Sequence, residues 1–163
     1  MDLILGSFFR FFFYVCVGLT LEIIYSVTSI DLACGFSLPR RLPKKYLEGF
    51  VSLYMIPIHG FGMLFLFEPA YQLIKNWPFW GRYFFYALTI TLMEAISGWI
   101  YLKILGLYSW DYYKDSKYKI FKDGLTLWTL LPQWGIAGFL MEFNSRLLNH
   151  LTPSAIEFIK SLL

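Results

Sequence analysis

Four runs of mostly apolar residues, at about 11–30, 50–67, 83–102 and 124–145, divide this chain and confine its charges to the short segments between them. About 20 helical residues, rising about 1.5 Å each, cross a hydrocarbon core of roughly 30 Å. A soluble protein with four such helices buried would need a polar coat. A chain of 163 residues with only 15% charged side chains cannot supply one. The reading is an all-α integral membrane protein, a single membrane domain over residues 1–163 with four transmembrane helices. Helices are the form expected, because a segment in lipid must satisfy its own backbone hydrogen bonds.

The connecting segments fit this division. After the first run comes Pro39-Arg40-Arg41-Leu42-Pro43-Lys44-Lys45, and a second basic stretch occupies residues 114–122. Glu68-Pro69 marks the expected end of the second run, and Trp77 and Trp80 suit the headgroup level. At the C-terminus, Thr152-Pro153 reads as an N-cap and first helical residue, followed by Ile156, Phe158, Ile159, Leu162 and Leu163. Residues 152–163 are thus expected to form a short amphipathic segment lying on the membrane. The two basic loops, with Lys103, hold nine Lys and Arg residues against five on the opposite side, so the loops 39–45 and 114–122 are expected in the cytoplasm and both termini outside. The first run is too long and too interrupted, by Glu22, for a cleaved signal and is expected to be retained. Cys16 and Cys34 stand about 27 Å apart along a helix axis, beyond the reach of a disulfide.

The chain reads as carrying an internal repeat, favoured over chance similarity between apolar stretches. At an offset of 72, Phe13-Tyr14 falls on Phe85-Tyr86 and Glu22 on Glu94. At an offset of 75, Pro57-Ile58-His59-Gly60 falls on Pro132-Gln133-Trp134-Gly135. Each pair is separated by an even number of crossings and so runs in one direction. Two tandem helix hairpins follow, related by a pseudo-twofold axis along the membrane normal.

Charge at mid-bilayer costs about 2.5–3.5 kcal/mol per group on insertion scales. Glu22 and Glu94 are each twelfth in their runs, and His59 and Gln133 each tenth, so one intramembrane layer can hold all four. That cluster reads either as a site for a proton, a cation or a lipid headgroup, or as interhelical hydrogen bonding that fixes the packing. Glu68 and Glu142 fall near the far ends of their runs and read as capping or packing groups. Gly18, Gly60, Gly98, Gly135 and Gly138 are expected to let helices approach closely.

No phosphate-binding glycine loop, hydrolase elbow or zinc signature occurs, so no catalytic residue, metal or cofactor is assigned. The net charge of +3 belongs to the loops and gives no nucleic-acid surface. Three functions remain open: binding or moving a small solute, ion or lipid, catalysis on lipid by the buried carboxylates, and a non-catalytic assembly subunit. Membrane lipid and further copies of the chain are the expected partners.

Glu94 in an aromatic-rich helix, Gly98, then Trp110-Asp111-Tyr112 and a fourth helix led by glycine resemble the transmembrane protein 229 family, whose bacterial relatives are labelled putative ABC-transporter permeases. Gly18-x-x-x-Glu22, Tyr54, Gly60 and the stretch from Pro132 to Glu142 extend the resemblance over about residues 13–146. It implies a small multi-pass membrane protein. If the permease label holds, it also implies an ATPase partner, since the chain has no nucleotide-binding domain.

Overall fold

The computed structural model describes residues 1–162. They form helices and loops, with one isolated antiparallel bridge between Lys119 and Leu127. Helix α1 spans Asp2–Thr28 and is followed at once by the short α2, Ile30–Cys34, which Gly35 ends in a left-handed conformation. The next rod is continuous but changes its winding: α3, Met55–Pro57, passes into a π-helical stretch, Ile58–Phe67, and then into α4, Glu68–Ile74. Helix α5 covers Phe79–Leu105 and α6 covers Leu131–Ser161.

Helices α1 and α5, each of 27 residues, are long and apolar enough to cross a membrane. The expectation of four such helices is reduced to these two. The run at 50–67 is not one α-helix, since residues 50–54 precede the rod and ten residues of it are π-wound. The run at 124–145 begins with Gly124 at a φ of +66°, and its helix starts only at Leu131. Polar groups at Glu142, Asn144, Arg146 and Asn149 then dilute α6.

Glu68-Pro69 does not end the second rod. Pro69 falls in the first turn of α4, where π bonding gives way to α bonding and a missing N–H disrupts least. The amide of Glu68 still bonds Met63, five residues back. Nor does Thr152 cap a new helix. α6 continues through Pro153, and the Thr152 hydroxyl donates back to the Leu148 carbonyl at 2.6 Å, as a helix-interior threonine does. The end of α6 lies against the start of α1: Gly6 faces Thr152 and Ile156, and Lys160 reaches Asp2 at 2.7 Å.

Helix α1 packs on the π stretch, α5 on α6, and α1 on α6. Two apolar clusters result. One, around Tyr14, Met63, Phe67, Tyr86, Ile90 and Leu148, lies between the helices. The other gathers Ile30, Cys34, Leu38, Trp110, Tyr113, Leu125 and Leu127 under the loops. Phe84, Leu88, Leu92 and Ile96 form an exposed i, i+4 stripe along α5, the surface a helix presents to lipid.

Two polar layers between the helices

The deeper layer begins on α1. Gly18, one turn before Glu22, leaves room for the His59 ring; a Cβ there would lie 2.3 Å from the ring. His59 Nε2 meets Glu22 Oε1 at 2.9 Å. On α5, Glu94 accepts hydrogen bonds from the Thr126 hydroxyl and from Trp134 Nε1, the latter at 3.3 Å. Gln133 takes another partner: its Oε1 accepts from the Tyr25 hydroxyl at 2.7 Å, and its Nε2 donates to the Thr129 carbonyl at 3.0 Å. Glu22 and His59 are thus brought into contact. Glu94 and Gln133 make their hydrogen bonds elsewhere.

The aromatic loop roofs this layer. Trp110 is buried, donates from Nε1 to the Leu125 carbonyl at 2.9 Å and lies over Gly98. Tyr112 is half-buried, and its phenol is pushed well up from its ordinary value by burial first, then by Cys34, Glu22 and Glu94. Asp111 points away, exposed, 3.7 Å from Lys114. The Cys34 thiol beneath the loops is raised to about 12, by burial and then by Asp31.

A second layer, built on Glu68 and Glu142, lies toward the other end. Arg10 and Tyr14, one turn apart on α1, converge on Glu68: Arg10 Nε lies 3.1 Å from Oε1, and the Tyr14 hydroxyl donates to the same oxygen. Arg82 and Tyr86, one turn apart on α5, converge on Glu142: Arg82 Nη1 reaches both oxygens at 2.6 Å and the Tyr86 hydroxyl donates at 3.0 Å. The signal was present, since Arg10 falls on Arg82 at the offset of 72 that already matched Phe13-Tyr14 to Phe85-Tyr86.

The glycines share one role in this geometry. A Cβ on Gly60 would lie 2.1 Å from the Phe11 ring, on Gly135 2.5 Å from Tyr83, and on Gly138 2.2 Å from Tyr86. Each accepts an aromatic ring of the neighbouring helix against its backbone.

Long apolar helices with a lipid-type outer surface and ion pairs turned inward define a helical membrane protein. The chain belongs to the family described as putative ABC-transporter type IV, whose model matches residues 9–163. The match takes in the C-terminal part of α6, beyond the 13–146 stretch that carried the resemblance. No curated protein and no solved structure matches the chain significantly.

Proposed function

We propose that the protein is a multi-pass transport component that binds a proton or small cation at its deep carboxylates and moves it across the membrane. In this reading the second rod and α6 also cross the bilayer, giving four spans arranged as two tandem hairpins. The observation that carries it is the matched chemistry of Glu22 and Glu94. Each is met by a ring nitrogen from the rod that follows, His59 and Trp134, which fall on one another at the offset of 75. Phe11 over Gly60 and Tyr83 over Gly135 obey the same two offsets and support the hairpin repeat.

The rods differ by one residue: eleven positions separate Pro57 from Glu68, and ten separate Pro132 from Glu142. A π-wound stretch takes up an extra residue without turning the carboxylate away, and such stretches gather at functional positions. The halves are chemically unequal at one point. His59 can exchange a proton with Glu22, whereas the Trp134 indole only donates to Glu94. A transport cycle with proton exchange in one half follows. The family description supports an ATPase partner, and the reading includes assembly of more than one copy.

The test is uptake of protons and of a panel of monovalent and divalent cations by proteoliposomes, with the ATPase that co-purifies. Glu22→Gln with Glu94→Gln retains much of the hydrogen bonding but cannot ionise. The pair is expected to abolish uptake while the protein stays monodisperse. Undiminished uptake in the double variant would falsify the reading and leave the carboxylates a packing role.

A further inference from the structure

The end of α4 and the middle of α6 line a groove of about 700 Å³, away from the deep carboxylates. Its walls have the same order. On α4, Tyr71 is followed one turn later by Lys75. On α6, Phe143 is followed by Arg146 and Leu147, and then by His150. These α6 positions share one face at i, i+3, i+4 and i+7 spacing. The second rod and α6 both run against α1, which meets them at Glu22–His59 and Arg10–Glu68, and at Tyr25–Gln133 and Asp2–Lys160, so in both walls the cation follows the aromatic toward the same end of the molecule.

The cations in the groove are free. Among the described residues neither Lys75 nor Arg146 forms an ion pair, and the Lys75 ammonium donates only to the neighbouring Gln72 amide. The carboxylates within reach along the chain are already taken: Glu142, four residues before Arg146, is held by Arg82, and Glu68 by Arg10 and Tyr14. A volume of about 700 Å³ is that of a site for a ligand of some size, far more than a bare phosphate fills.

We infer that this groove binds the headgroup of an anionic phospholipid, with the phosphate between Lys75 and Arg146 and the first part of an acyl chain along Tyr71, Phe143 and Leu147. The walls combine exposed cations with aromatic and aliphatic side chains, the pairing that an anionic headgroup carrying an acyl chain requires. Phosphate is a ligand that both an ammonium and a guanidinium hold well. The inference rests on membrane residence and stands whether or not the deep carboxylates carry transport.

Native mass spectrometry of the full-length chain, delipidated in detergent and titrated with phosphatidylglycerol or phosphatidylcholine, tests it. The wild type is expected to prefer phosphatidylglycerol. Removing each cation, by Lys75→Gln or Arg146→Gln, is expected to weaken that lipid about fivefold, and both together about 25-fold, with phosphatidylcholine unchanged. The charge-retaining pair Lys75→Arg and Arg146→Lys keeps the preference and controls for folding. Equal phosphatidylglycerol binding in the double Gln variant would overturn the site. So would displacement of the lipid by inorganic phosphate alone, which would assign the cations to the free anion.

Discussion

Polar side chains tie neighbouring helices of this protein together, Glu22 to His59 and Arg82 to Glu142. Glu22 and Glu94 stand out because mid-bilayer charge is costly, and His59 follows from equal depth. That Gln133 bonds Tyr25 while Trp134 reaches Glu94 depends on how far α6 is rotated, and one residue of helix turns a side chain by about 100°. Arg10 and Arg82 are drawn between helices by the carboxylates of Glu68 and Glu142. Glu142 is the more enclosed of the two carboxylates, its side chain 9% exposed against 16% for Glu68. Arg82→Ala leaves Glu142 with only the Tyr86 hydroxyl and is expected to cost about 3 kcal/mol. Arg82→Leu with Glu142→Leu should recover much of that loss, because no charge is then stranded. Reversible unfolding in bicelles checks both; a double variant worse than the single would show that the ion pair is itself the stabilising element.

At the scale of elements, what holds the loops is as informative as what forms the helices. Asp31 on α2 accepts from the Leu38 amide, from Arg40 Nη1 at 3.0 Å and from Lys44 at 3.2 Å, so one carboxylate folds the first basic loop onto the end of α1. Burial raises its carboxyl, but the Leu38 amide and the two cations outweigh that and hold it below the usual range. A carboxyl lowered on folding stabilises above the unfolded pKa, and the contribution is lost as pH falls through the lower native value. Thermal midpoints in detergent are therefore expected to fall from neutral pH to about pH 3, and to fall less in Asp31→Asn; parallel curves would remove Asp31 from the account. The π stretch and the unbroken α6 were not legible. Both concern winding and continuity at a proline, where local signals favour a break and packing overrides them. Thr152-Pro153 has the letters of a helix start, yet contact with Gly6 on α1 carries the helix through.

For the whole molecule, the cations of the two basic loops sit on one end of the bundle and the Arg–Tyr–Glu layer lies toward the other. The proposed orientation expects a cysteine replacing exposed Lys45 or Lys117 to react with a membrane-impermeant maleimide only from the cytoplasmic side. Labelling from outside intact cells would invert it. Membrane residence and the helical class were determined by the sequence, because length, hydropathy and charge placement are properties of the chain in order. Which polar groups meet, which glycine receives which ring, where the second rod is π-wound and where a cationic groove opens were decided only by tertiary structure. Those outcomes depend on the rotation and winding of one helix against another, to which linear order is nearly blind.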